Sequence, residues 1–152
     1  MIQIGVVGAN GKMGREVVKM VANTEDFNLV SAIDKMNTGE NIIDEVYIEG
    51  DLEKALKVHN LDVVVDFTQP SVVFENVKKY VENGIKSVIG TTGLTAEQIE
   101  EIKTLSKEKN VGVLIAPNFS IGAILMMKFA AEASKYFSNA EIIEFHHNVR
   151  AM

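Results

Sequence analysis

The 152-residue sequence contains no cysteine, which excludes disulfide bonds, thiolate zinc sites and cysteine nucleophiles. It also has no segment dense in lysine or arginine, and its formal net charge is -6. Binding to a phosphate backbone needs a concentrated basic face, so the composition argues against a nucleic-acid-binding protein.

Long apolar runs and export signals are missing as well. The longest apolar stretch, Phe119 to Ala131, is interrupted by Ser120 and Lys128 and is too short to span a bilayer. Met1 leads directly into the apolar segment 2–7, without a basic leader or a cleavage site. These features predict a cytoplasmic protein with no membrane segment.

Short apolar segments alternate with segments of helical periodicity. Strands are predicted at 2–7, 28–33, 61–67, 85–90, 111–116 and 140–147, and helices at 14–23, 51–59, 71–83, 96–109 and 120–137. Segment 36–50 is predicted as a loop that holds at most one short strand, VYI. Parallel strands need long right-handed crossovers, so this alternation predicts an α/β fold with a doubly wound parallel sheet.

Three local patterns mark the ends of predicted helices. Asp51 is placed as an N-cap, and Gly84 is suited to the left-handed position that ends a helix. Thr95 and Gln98 have the spacing of a capping box.

The first predicted strand runs into the glycine-rich turn GANGKMG, residues 8–14. Gly8 permits a tight turn, Gly11 lets a pyrophosphate approach the backbone, and Gly14 allows close packing of helix on strand. The helix that follows offers unpaired N–H groups and a partial positive charge to phosphates. The pattern therefore predicts a dinucleotide site, although its spacing differs by one from G-x-G-x-x-G.

The second predicted strand ends at Asp34 and Lys35, about twenty positions after the turn, where an acidic residue accepts hydrogen bonds from an adenosine ribose. Lys35 can pair with a 2′-phosphate. The pair predicts a site that tolerates both NAD and NADP; the alternative is two ordinary surface charges at a strand end.

Other predicted strands are also followed by polar residues. DFTQP (66–70) and GTTG (90–93) can line the crevice for nicotinamide and substrate, although either alone is typical of a turn. In APNFSIG (116–122), Asn118 or Ser120 by itself reads as a helix cap.

The sequence ends with EFHHNVRAM. Adjacent histidines on a strand face opposite sides and are poor ligands for one metal ion, so no metal site is predicted. A histidine facing the cleft can donate a proton near neutral pH, whereas spacing alone favours two solvated side chains.

Taken together, GVVGANGKMG, VVDFTQP, VIGTTG, APNFSIG and EIIEFHHNV resemble, in this order, the dihydrodipicolinate reductase family, also called 4-hydroxy-tetrahydrodipicolinate reductase. The resemblance covers essentially the whole chain. It implies NADH- or NADPH-dependent reduction of a cyclic dicarboxylate to tetrahydrodipicolinate in lysine and diaminopimelate biosynthesis. It also implies a dinucleotide-binding domain at 1–118, the first helix and strand of a substrate and tetramerisation domain at 119–152, and a homotetramer.

The resemblance also implies roles for individual residues. His146 is the expected proton donor, Arg150 takes the place of a family lysine in the catalytic motif, and His147 is expected to hold substrate. Expected cofactor contacts are Gly8, Asn10, Gly11, Lys12, Met13, Asp34, Lys35, Phe67, Thr68, Gly90, Thr92, Asn118 and Phe119.

The sequence departs from the family pattern in two ways. Arginine at position 150 keeps the charge of the lysine but is a poorer proton donor. The DAPSGTA segment that would clamp substrate carboxylates is absent from these 152 residues. Two other functions stay open: a module that binds NAD(P) without catalysis, and a different amino-acid-related dehydrogenase. The apolar segment AILMMKFAA predicts self-association.

Overall fold

The computed structural model describes residues 1–116, 118–139, 141 and 143. Two compact units divide the chain, Met1–Pro117 and Asn118–Met152. The predicted strand at 140–147, with both histidines, lies outside the described residues apart from positions 141 and 143.

The first unit contains seven strands and four helices. In chain order these are β1 Ile2–Val7, α1 Lys12–Ala22, β2 Phe27–Ile33, β3 Asn41–Ile43, β4 Val46–Glu49, α2 Leu52–Val58, β5 Val63–Asp66, α3 Pro70–Glu82, β6 Lys86–Ile89, α4 Ala96–Lys109 and β7 Val113–Ile115. The strand order is β3-β4-β2-β1-β5-β6-β7, and every neighbouring pair is parallel except β3 with β4.

Helices cover both faces of this sheet. Neighbouring strand residues point to opposite faces, and Val6 and Val7 accordingly belong to different buried clusters. The Val6 cluster includes residues of α1, such as Val18, whereas the Val7 cluster includes residues of α2, α3 and α4, such as Val77 and Ile102. The predicted α/β fold with a doubly wound parallel sheet is confirmed.

The predicted helix ends follow from local hydrogen bonds. The Asp51 carboxylate accepts from the Lys54 amide at 3.0 Å, and Thr95 and Gln98 form a reciprocal capping box. Gly84 follows α3 with φ of +73°, a conformation that glycine adopts without strain. All three predicted signals are confirmed.

Segment 36–50 contains more regular structure than the sequence predicted. β3 and β4 form an antiparallel hairpin whose turn includes Asp44 at φ of +47°. The Asn41 side chain donates to the Asp44 carbonyl at 2.6 Å and supports this turn. The predicted strand VYI corresponds to β4 and is confirmed, whereas β3, which has only three residues, was not predicted.

The second unit contains one described helix, α5 Ile121–Ala133, which is shorter than the predicted 120–137. The Ser120 hydroxyl accepts from the Ala123 amide at 3.4 Å, and the Asn118 side chain accepts from the Ser120 amide at 2.8 Å. No described residue of α5 is buried, and its exposed apolar side chains include Met127 and Phe129.

No helix among the described residues is both long and apolar enough to cross a bilayer. The same residues contain no cluster of three or more His, Asp or Glu side chains that could hold a metal ion.

Candidate functional site

One edge of the sheet of the first unit carries the glycine-rich turn, the Asp34–Lys35 pair and the DFTQP and GTTG loops. β2, β1, β5 and β6 are neighbours and run parallel, so their carboxyl ends meet there. In such sheets ligands bind beyond the carboxyl ends, where crossovers leave the sheet in opposite directions. The predicted site residues that follow these four strands are Gly8, Asn10, Gly11, Lys12, Met13, Asp34, Lys35, Phe67, Thr68, Gly90 and Thr92.

The glycine-rich turn is closely packed at Gly8 and Gly14, two of the positions at which the sequence pattern requires glycine. Gly8 has φ of +76°, and a Cβ on it would lie 2.4 Å from the Phe67 carbonyl oxygen. A Cβ on Gly14 would lie 2.0 Å from the Gly8 carbonyl oxygen. These two positions hold strand, turn and helix together and exclude any side chain.

Gly11 has a different environment. It caps α1 at φ of −67° without a side-chain hydrogen bond, and a Cβ on it would meet only the Gly8 carbonyl oxygen, at 3.3 Å. The first helical hydrogen bond of α1 runs from the Arg15 amide to the Gly11 carbonyl at 2.9 Å. The amides of Lys12 and Met13 precede it and belong to the orphan donors of a helix N-terminus. This is a backbone surface that a phosphate can approach.

Asp34 lies against this turn. One carboxylate oxygen accepts from the Asn10 amide at 3.0 Å, and the other accepts from the Met36 amide at 3.0 Å. Each carboxylate oxygen has further acceptor capacity, so the side chain can also bind hydroxyl groups. Lys35 is exposed beside it.

Arg15 also supports the turn. Its Nε donates to the Asn10 carbonyl at 3.2 Å, and its guanidinium donates to the Asn10 side-chain oxygen as well. Arg15 was not among the predicted site residues, although an arginine in the first turn of a predicted phosphate-binding helix is a recognisable signal.

Phe67 links the glycine-rich turn to the GTT loop. Its carbonyl lies against Gly8, and a Cβ on Gly90 would lie 2.1 Å from its ring. A Cβ on Gly93 would lie 2.7 Å from Pro70 in the same way. Three strand-end loops therefore pack directly on one another, and glycine is required at each contact.

A buried carboxylate below these loops was missed by the sequence analysis. Asp66 ends β5 and is 0% exposed. Its Oδ1 accepts from the Thr68 amide at 2.9 Å, the Thr68 hydroxyl at 2.6 Å and the Thr91 hydroxyl at 3.1 Å. Its Oδ2 accepts from the Tyr80 hydroxyl at 2.7 Å and the Asn76 amide group at 3.2 Å. An acidic residue at the end of the apolar segment VVVD was the signal, since a buried carboxylate needs donors.

Burial, with the negative charge and hydrogen bond of Asp66, raises the pKa of Tyr80 well above its ordinary value. The neutral hydroxyl therefore contributes stability that is present below the unfolded pKa of about 10 and is lost as the pH rises above it. We expect Tyr80→Phe to cost about 1 kcal/mol at neutral pH and to flatten the loss of stability between about pH 9 and pH 11. Urea unfolding at several pH values measures both effects. If the free energy of unfolding fell equally steeply with pH in wild type and Tyr80→Phe, the role of the Tyr80 hydroxyl would be contradicted.

The remaining predicted site residues belong to the second unit. Asn118 and Phe119 begin the second unit, and Phe119 is 48% exposed. His146, His147 and Arg150 lie outside the described residues.

Comparison with known proteins agrees with this architecture. Residues 2–119 match the family model described as dihydrodipicolinate reductase, N-terminus, which is the NAD(P)-binding domain of that family. The 4-hydroxy-tetrahydrodipicolinate reductase of Syntrophomonas wolfei is 47% identical over 150 residues, covering 94% of this chain and 56% of the relative. That of Listeria innocua is 45% identical over 154 residues, covering 97% and 59%.

A solved structure gives the same result. The dipicolinate-bound dihydrodipicolinate reductase of Paenisporosarcina sp. TG-14 has a TM-score of 0.77 and 39% identity, covering 90% of this chain and 55% of that one. The chain thus spans somewhat more than half the length of these relatives. On the match of residues 2–119 and on these identities, the chain belongs to the dihydrodipicolinate reductase family.

Proposed function

We propose that this chain is the NAD(P)H-binding part of a 4-hydroxy-tetrahydrodipicolinate reductase. The protein would reduce the cyclic dicarboxylate to tetrahydrodipicolinate in the cytoplasmic biosynthesis of diaminopimelate and lysine. When bound, the nicotinamide cofactor supplies the hydride. The residues described here bind and orient the cofactor, and the proton comes from the carboxyl-terminal segment.

One observation carries the cofactor assignment. The amides of the glycine-rich turn and the Asp34 carboxylate lie side by side, joined by the 3.0 Å hydrogen bond from the Asn10 amide. A pyrophosphate needs backbone N–H groups at a helix N-terminus, and an adenosine ribose needs an acceptor nearby. The open backbone at Gly11 leaves room for the phosphates, so the residues present fit a dinucleotide.

The choice between NADH and NADPH depends on Asp34 and Lys35. A carboxylate repels a 2′-phosphate, and Lys35 attracts it, so the wild-type chain is expected to accept both cofactors. Asp34→Ser should shift the ratio of dissociation constants toward NADPH by about tenfold, or 1.4 kcal/mol. Calorimetric titration of each cofactor measures this ratio.

Lys35→Ala is the matched control, since it removes the opposite charge at the next position. It should shift the ratio toward NADH while leaving the Asn10–Asp34 hydrogen bond in place. An unchanged ratio of NADH to NADPH dissociation constants in both variants would show that Asp34 and Lys35 do not contact the cofactor.

We assign the chemical step to residues outside the described part of the chain. His146 would donate the proton, His147 would hold substrate, and Arg150 would place a positive charge beside the reacting ring. Asn118 and Phe119 would contact the nicotinamide. The position of EFHHNVR after the fourth sequence motif, APNFSIG, supports these roles.

We also propose self-association, with the family tetramer as the final state. α5 is apolar apart from Lys128 and Glu132, and Met127 and Phe129 are 60% and 67% exposed. Apolar surface of this extent favours a partner. Met127→Lys should weaken association by about tenfold or more, whereas Met20→Lys, at a 49% exposed methionine on α1, should not. Sedimentation measures both, and a wild-type monomer at high concentration would contradict the proposal.

The second candidate function is a module that binds NAD(P) and reduces nothing. In its favour, the Asn10–Asp34 hydrogen bond and the open backbone at Gly11 are both features of cofactor binding. Hydride transfer requires a positioned substrate as well as a bound cofactor, so a turnover assay separates the two functions.

A further inference from the structure

Asp66 connects three separate elements through one buried side chain. Among the described residues, its Oδ1 receives hydrogen bonds from strand-end loops alone, through Thr68 and Thr91. Its Oδ2 receives hydrogen bonds from α3, through Asn76 and Tyr80. The carboxylate therefore ties the loop after β5 and the loop after β6 to a rigid helix.

Main-chain hydrogen bonds reinforce the same arrangement. The Gly90 amide donates to the Asp66 carbonyl at 2.9 Å, and the Thr91 hydroxyl lies 3.4 Å from that carbonyl. The Phe67 amide donates to the Val7 carbonyl at 2.9 Å, which anchors the β5 loop to the strand that leads into the glycine-rich turn. A shift at Asp66 would consequently move Thr68 and the segment Gly90–Thr92 together.

The network needs a carboxylate and not merely a polar group. The carboxylate oxygens meet donors from four residues, Thr68, Asn76, Tyr80 and Thr91. An ionised carboxylate only accepts. Asparagine has almost the same shape, but its NH₂ group would replace one of the two acceptors. Facing the loops, it would leave the Thr68 amide without its acceptor; facing α3, it would leave the Tyr80 hydroxyl proton without its acceptor.

We propose that Asp66 is a positioning residue for cofactor binding, which holds Thr68 and Thr91 so that the loops after β5 and β6 receive the nicotinamide half of the dinucleotide. This inference rests on the proposed function. The adenosine half is assigned to the glycine-rich turn and Asp34, which Asp66 does not touch. A substitution at Asp66 should therefore weaken binding of the nicotinamide half of the ligand and leave binding of the adenosine half unchanged.

The test compares two ligands with each variant. NADH contains both halves, whereas ADP-ribose lacks the nicotinamide ring. Asp66→Asn is expected to weaken NADH binding by about tenfold and to leave the affinity for ADP-ribose unchanged. Equal losses for both ligands, or no loss for either, would overturn the proposal.

Val77→Ala is the structural control. Val77 is fully buried on α3 between Asn76 and Tyr80, and its truncation loosens the core without removing a donor to Asp66. It should leave the ratio of NADH to ADP-ribose affinity unchanged, even where it lowers the melting temperature as much as Asp66→Asn. A changed ratio in this control would show that core stability sets nicotinamide binding and would overturn the role of Asp66.

Thr91→Val supplies a second variant, needed if Asp66→Asn does not fold. It keeps the size of the side chain at position 91 and leaves the Asp66 carboxylate in place, but it removes one donor to Oδ1. NADH affinity should fall about threefold, again without a change for ADP-ribose. Equal NADH affinity in Thr91→Val and wild type would overturn the proposal.

Hydrogen exchange separates this inference from the proposed function. Without any ligand, the Thr68 amide should exchange at least tenfold faster in Asp66→Asn than in Val77→Ala, because it donates to the Asp66 carboxylate. Failure of the wild-type chain to bind NADH would refute the proposed function. Unchanged exchange at Thr68 would refute the control of the loops by Asp66.

Discussion

Replacing Gly14 by alanine is expected to abolish measurable NADH binding and to lower the free energy of unfolding by about 3 kcal/mol. The new Cβ would lie 2.0 Å from the Gly8 carbonyl oxygen and 2.8 Å from the Ala9 Cα. Both are backbone atoms of the turn, so the overlap can be relieved only by moving α1 away from β1. That movement withdraws the helix N-terminus from the phosphates.

Gly11→Ala is the matched comparison within the same turn. Gly11 has φ of −67°, and its Cβ would meet one oxygen at 3.3 Å, so the fold should lose only about 1 kcal/mol. The methyl group would nevertheless occupy the open backbone that the pyrophosphate approaches, and NADH affinity should fall about tenfold or more. Urea unfolding and calorimetry separate the two effects. Wild-type affinity in Gly14→Ala, or in Gly11→Ala, would contradict the roles assigned to these glycines.

The second large effect concerns turnover. The 152-residue chain, mixed with NADH and enzymatically prepared substrate, should oxidise NADH about a thousandfold more slowly than the full-length Syntrophomonas wolfei relative. The sequence provides the cofactor turn and the histidine pair but not the DAPSGTA segment expected to clamp substrate carboxylates. A cofactor held near an unpositioned substrate lacks most of the advantage of intramolecular geometry.

NADH binding by both proteins is the control for this comparison. Similar dissociation constants with very different turnover would place the defect in substrate positioning. His146→Gln should abolish any residual turnover of the short chain without changing NADH affinity. Turnover within tenfold of the full-length relative would show that these 152 residues suffice for catalysis.

Features decided by local chemistry could be predicted from the sequence. The caps at Asp51 and Thr95 and the left-handed Gly84 each depend on residues within one helical turn. The parallel sheet followed from the spacing of apolar segments, because helices between strands leave little choice of connection. The glycine-rich turn was recognisable because its close backbone contacts exclude a Cβ atom, and only glycine meets that requirement.

Features decided by distant contacts were harder to predict. β3 consists of three residues and is stabilised by its pairing with β4 and by the Asn41 side chain, so periodicity gave no signal. The importance of Asp66 depends on Asn76, Tyr80 and Thr91, which come from other elements. The four-residue spacing of Asn76 and Tyr80 on α3 placed both on one face but did not reveal what that face meets.

The central claim is that backbone amides of the glycine-rich turn hold the cofactor pyrophosphate. Amide chemical shifts of the chain, followed by NMR during an NADH titration, test it most directly. We expect the largest changes at Lys12 and Met13. Smaller changes are expected in the loops after β5 and β6 and at Gly11, whose amide already donates to the Gly8 carbonyl at 3.1 Å. NADH that fails to bind, or that binds without perturbing the Lys12 and Met13 amides, would contradict the claim.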